Sequence, residues 1–91
     1  RVRFGIAPGS YDAERPGVLV GEVFEDTPAA EAGVQTGDLI VTWEGEDVAD
    51  VRAWFTKFMT HEPGDTVTFQ VKRGEETLTL KAELKARGDT D

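Results

Sequence analysis

One serine, Ser10, and one histidine, His61, are all the chain offers of the hydroxyl and imidazole that hydrolytic chemistry most often uses. A serine hydrolase needs a nucleophile, a base within hydrogen-bond reach and a group that orients the base. Ser10 sits in a Gly-Ser-Tyr-Asp turn, without the Gly-x-Ser-x-Gly setting that lifts a nucleophile above a sheet, and reads as a solvated turn residue. His61 reads as a helix-end residue. Cysteine is absent, which removes thiolate nucleophiles, disulfides and Cys-bound zinc or iron. Zinc held by one histidine would need three carboxylates, and no spacing supplies them. Carboxylates do cluster at Glu44, Glu46, Asp47 and Asp50 and again at Glu75-Glu76, but in predicted turns, where solvated acids are poor general acids. There is no Gly-x-Gly-x-x-Gly and no phosphate loop. The expectation is a fragment with no catalytic residues, no metal and no cofactor.

Composition narrows the partners. The 91 residues carry 18 acidic against 10 basic side chains, a formal charge of -8, which disfavours nucleic acid and anionic lipid. An apolar fraction of 38%, with five Phe, two Trp and one Tyr, is enough for one modest core. No apolar run approaches the roughly 18 residues of a membrane span, so no membrane insertion is expected. Opening at Arg1 rather than Met, without a leader-like segment, the sequence reads as a piece of a longer protein.

The elements follow from pattern and punctuation. Val2 to Ala7 predicts a short strand stopped by Pro8-Gly9, then a polar loop from Ser10 to Gly17. Gly17 to Phe24, rich in valine, predicts a buried strand. Thr27 is placed to cap a short helix with Pro28 at its first position and alanines 29, 30 and 32 inside it; Gly33 should end it in the left-handed conformation. Leu39 to Trp43 is a strand, and Glu44 to Asp47 a turn. Asp50 caps a longer helix, roughly Val51 to Thr60, whose apolar set Val51, Trp54, Phe55, Phe58 and Met59 is an i, i+3, i+4, i+7, i+8 stripe. Pro63-Gly64-Asp65 stops it. Val67, Phe69 and Val71 share one strand face, Arg73 to Glu76 turns a hairpin, and Leu78, Leu80, Ala82 and Leu84 form the last alternating face. The fold class is therefore mainly β with two helices (α+β): a small, partly open β-barrel or sandwich capped by one short and one longer helix.

Three stretches carry a resemblance: Thr27-Pro28-Ala29-Ala30-Glu31-Ala32-Gly33-Val34-Gln35-Thr36-Gly37-Asp38-Leu39-Ile40, then Gly45-Glu46-Asp47-Val48, and Arg3-Phe4-Gly5-Ile6. Together they resemble a PDZ domain of the bacterial, circularly permuted type, over residues 1–86, with 87–91 left as a polar tail or linker. Gly33, Gly37 and Asp38 have structural reasons of their own, since the chain must leave a helix and enter a strand within five residues, and Asp38 can accept N–H bonds in that turn. The resemblance implies a groove between a strand and the longer helix. There backbone N–H groups of a short loop hold a peptide C-terminal carboxylate, and the peptide adds as a strand. Matched residue by residue, the carboxylate loop is Arg3, Phe4, Gly5 and Ile6, with Arg3 or Arg1 adding charge. The groove positions are Val51, Phe55 and Phe58, for each of which core burial is the competing role; Trp54 and Met59 are assigned to the core.

One departure stands out. The ligand's second backbone pairing would fall on Pro8, which has no N–H to give. The added ladder should stop after about two ligand residues, with a Kd of order 10–1,000 μM. The resemblance implies a larger bacterial peptidase as parent, with a zinc-dependent aminopeptidase ahead of an HtrA-like serine protease, and a periplasmic or other cell-envelope setting. Partners are then peptide or protein C-termini or exposed apolar segments. The alternative is a structural or regulatory domain docked on its own parent protease domain without binding free peptide.

Overall fold

Valine-rich runs broken by glycine give short strands, and two capped stretches give helices. The computed structural model describes residues 2–9 and 16–86. In chain order these form β1 (Val2–Arg3), β2 (Ile6–Pro8), β3 (Val18–Val23), α1 (Pro28–Ala32), β4 (Leu39–Trp43), β5 (Glu46–Asp47), α2 (Val51–Phe58), β6 (Thr66–Arg73), β7 (Glu76–Glu83) and β8 (Lys85–Ala86). The main sheet is antiparallel, in the order β2-β3-β4-β6-β7, with β5 paired to β4; β1 and β8 form a separate antiparallel ribbon. The architecture is the expected one: mostly β with open antiparallel sheets and two helices.

Both helix starts are built by their caps. The Thr27 hydroxyl accepts the Ala30 N–H at 3.3 Å and donates to the Phe24 carbonyl at 2.7 Å, and Pro28 opens α1. Gly33 ends α1 at φ +98°. Asp50 caps α2 by accepting the Ala53 N–H at 2.8 Å. The β4–β5 hairpin turns on Glu44-Gly45, both at positive φ, which makes Glu46-Asp47 a short strand rather than part of the turn.

Three further details differ from expectation. The first strand is two: Val2–Arg3 pairs with β8 and Ile6–Pro8 with β3, because the chain turns at Gly5 with φ +103°. Pro8 is the last residue of β2 rather than a stop before it. Helix α2 ends at Phe58, and Met59, expected in the core, is 45% exposed. Ser10 and the tail 87–91 lie outside the described residues.

The core lies between the sheet and α2. Val18, Val20, Ile40, Trp43, Val67, Phe69 and Val71 supply it from the sheet, and Trp54 and Phe58 from α2. At its centre is Phe4, whose ring meets Trp43 and Phe69 edge-on at centroid distances of 5.3 and 5.4 Å and lies 5.9 Å from Trp54 and 6.3 Å from Phe58. Opposite, buried Asp38 acts as a clamp. Its carboxylate accepts the Gln35 N–H at 2.9 Å and two Arg73 bonds at 2.9 and 2.8 Å, while Arg73 also donates to the Gly33 carbonyl at 2.9 Å. Burial pushes the Asp38 carboxyl up, but the Arg73 and Gln35 bonds and the Arg73 charge outweigh it and hold it below its ordinary value.

Candidate functional site: the groove between β2 and α2

Two constraints shape the Phe4-Gly5-Ile6 loop. Phe4 is pinned in the core, and Gly5 crosses Thr27 so closely that a Cβ on it would lie 2.2 Å from both the Thr27 Cβ and Oγ1. Only glycine fits this φ and this approach. The loop's carbonyls are spent inward: Phe4 C=O accepts the Ala29 N–H at 2.8 Å and Gly5 C=O accepts the Phe24 N–H at 2.9 Å. In a trans peptide the N–H points opposite to the preceding C=O, and the chain has no cis bonds. The N–H groups of Gly5 and Ile6 are therefore turned away from α1 and β3. Among the described residues, no loop backbone bond uses the Phe4 or Gly5 N–H.

Beside this loop lies a cleft of about 450 Å³ lined by Val2, Arg3, Phe4, Gly5, Ile6, Phe24 and Phe58. All four residues assigned to the carboxylate loop thus meet at one opening. Phe4 contributes a wall rather than an exposed contact, and Arg3 is an exposed residue of β1. On the helix side the three assigned residues divide. Phe58, 6% exposed, is both a core residue and the cleft's inner wall; Val51 and Phe55, 40% and 53% exposed, continue the apolar surface along α2 outside the cleft lining. A 6.5 Å centroid distance joins the Phe55 and Phe58 rings. Trp54 is buried, as assigned.

Phe24 was not singled out as a groove residue, yet it lines the cleft at 39% exposure. The signal was there: it follows Val23 directly, so the two apolar neighbours cannot share one strand face. β2 is the end strand of its sheet, so among the described residues its second edge has no strand partner. Helix α2 is held in place from the far side by an ion pair between Lys57 and Glu46, whose carboxyl falls below its ordinary value because of the Lys57 hydrogen bond and charge.

His61 has another role. Its Nε2 accepts the Trp43 indole N–H at 3.0 Å, and its Nδ1 lies 3.2 Å from the Asp65 carboxylate. The tautomer with its proton on Nδ1 satisfies both contacts, so the imidazole is occupied in tying the end of α2 to the core.

The same arrangement recurs in known proteins. An HtrA-type protease, AlgW, solved with a decapeptide, superposes with a TM-score of 0.87 at 25% identity, over 99% of this chain and 30% of its own. An aminopeptidase N family protein from Idiomarina loihiensis superposes with a TM-score of 0.81 at 28% identity, over 93% of this chain and 14% of its own. In sequence, a DegP-like periplasmic serine endoprotease of Bartonella henselae is 34% identical over 71 residues, 78% of this chain and 14% of the relative. The chain spans between 14% and 22% of the length of the curated relatives it matches. The PDZ domain profile matches residues 4–84, and the chain belongs to the PDZ domain family.

Proposed function

We propose that this domain is a non-catalytic peptide-binding module of a larger bacterial protease, capturing peptide C-termini by strand addition between β2 and α2. The observation that carries this reading is the loop at Gly5 and Ile6: two N–H groups turned away from α1 and β3, at the mouth of a cleft walled by Val2, Phe4, Ile6, Phe24 and Phe58, beside a strand edge that has no strand partner among the described residues. Such donors suit a carboxylate, and the cleft suits an apolar terminal side chain. Arg3 at the rim adds positive charge. The decapeptide bound by AlgW supports peptide as the ligand class.

The parent is a peptidase in this reading, and its catalytic residues lie outside these 91. The relatives span both parent types weighed from sequence, HtrA-type serine proteases and an aminopeptidase N family protein. The Gly-Ile-x-Pro loop and the Gly-Val-Leu-Val strand favour the aminopeptidase, whereas the curated serine proteases favour the HtrA type. A periplasmic or other cell-envelope location goes with either.

A second reading has its own observation. Pro8 ends β2 and has no N–H for a longer ladder, which favours a domain docked on its parent protease domain. Affinity separates the two. Peptides ending in an apolar residue should bind with a Kd of order 10–1,000 μM when their carboxylate is free, and at least tenfold more weakly when it is amidated. Equal affinity for the two forms, or none at millimolar peptide, would leave only the docking role.

A further inference from the structure

Strand β2 has a second face, turned away from the core. Ile6 and its cross-strand partner Val23 pack against the core, so the next pair, Ala7 and Glu22, faces the other way. Glu22 is exposed and enters no ion pair among the described residues. Beyond this pair the face narrows to glycines bordered by Leu19, whose side chain would lie 3.2 Å from a Cβ placed on Gly9. The register shift between Ala7 and Pro8 leaves Gly21 without a cross-strand partner, and a Cβ on Gly21 would lie 2.9 Å from the Gly9 Cα and 3.2 Å from the Ala7 carbonyl oxygen. Glu22 therefore stands across from the Ala7 methyl group, with Gly21, Gly9 and then Leu19 beyond it.

A peptide strand on the edge of β2 that has no partner among the described residues alternates its side chains between these two faces. With the terminal side chain in the apolar cleft, the penultimate one stands over Ala7. It is then two strand spacings, roughly 10 Å, from Glu22. Only a long basic stem can cross that distance, passing over the Ala7 methyl group. Because Pro8 curtails the ladder, the penultimate residue is also the last one the backbone holds firmly.

Resting on the carboxylate-groove reading above, we propose that Glu22 selects ligands with lysine or arginine at the penultimate position. An exposed ion pair of this kind is worth a factor of roughly three in affinity and weakens with salt.

The test uses the 91-residue chain and peptides identical except for Lys, Ala or Glu at the penultimate position, each with a free or amidated end. The expected Kd order is Lys below Ala below Glu, about threefold per step, compressed at high salt. In Glu22→Gln the Lys-to-Ala ratio should fall to near one, and in Glu22→Lys the order should reverse. Carboxylate-dependent binding with equal Kd values for all three peptides would overturn the role of Glu22 and leave the groove reading intact. An order that persists in Glu22→Gln would do the same, placing the preference in the net negative field. Absence of any carboxylate-dependent binding would overturn the groove reading itself, and this proposal with it.

Discussion

The β4-β6-β7 side of the molecule and the β2-α2 side follow opposite rules. On the first, β6 and β7 pair residue for residue from Thr66–Glu83 to Arg73–Glu76, Val67, Phe69 and Val71 are fully buried, and Asp38 and Arg73 satisfy each other and the turn from Gly33 to Asp38. On the second, a three-residue strand with a broken register ends a sheet, its loop turns N–H groups away from the body, and Phe55 and Val51 leave apolar surface uncovered. Polar groups are paired throughout the first side, whereas on the second, among the described residues, the edge of β2 has no strand partner, which is what the proposed peptide strand would supply.

That contrast can be broken from either side, starting where the two regions meet. Phe4 joins the loop to the core, so Phe4→Ala should cost about 3–5 kcal/mol in chemical denaturation and abolish peptide binding together with stability. Gly5→Ala comes next. The clash with Thr27 and the φ of +103° should cost about 3 kcal/mol. The same change at Gly74, where a Cβ would meet nothing, should cost about 1 kcal/mol. Equal losses at the two glycines would contradict the close approach.

On the closed side, Asp38→Ala removes charge-assisted bonds and should cost about 2–3 kcal/mol at neutral pH. Because the Asp38 carboxyl is held below its ordinary value, the contribution is complete above the ordinary carboxylate range and fades as pH falls through the lowered folded value. The gap between wild type and Asp38→Ala, followed by denaturation from neutral to strongly acidic pH, should therefore close at the acid end. His61→Leu strands the buried Trp43 indole N–H and should cost about 1–2 kcal/mol. The smallest effect on stability is expected on the open side. Phe55→Ala should change stability by no more than about 0.5 kcal/mol while weakening peptide binding severalfold.

Much of this was legible in the sequence where local chemistry decides. Thr27, Pro28, Gly33 and Asp50 carry their capping roles in their types and positions, and the alternation of Val67, Phe69 and Val71 fixes the buried face of β6. Contacts distant in sequence decided the rest. Val2 to Ala7 has strand propensity throughout, and nothing local announces that Thr27 and the core divide it at Gly5. The bond from Trp43 to His61 joins a strand to a helix end, beyond any periodicity. For α2 the stripe correctly marked the apolar residues, but its width could not separate Phe58, which is buried, from Phe55 and Met59, which are exposed.

The most direct test of the open groove is an amide NMR titration of the chain with a C-terminally free, apolar-ended peptide beside its amidated twin. The account predicts large, carboxylate-dependent shifts at the Gly5 and Ile6 amides and along the Val51–Phe58 face, with little change at the Asp38–Arg73 clamp. Shifts that are the same for both peptides, or that leave Gly5 and Ile6 unmoved, would contradict it.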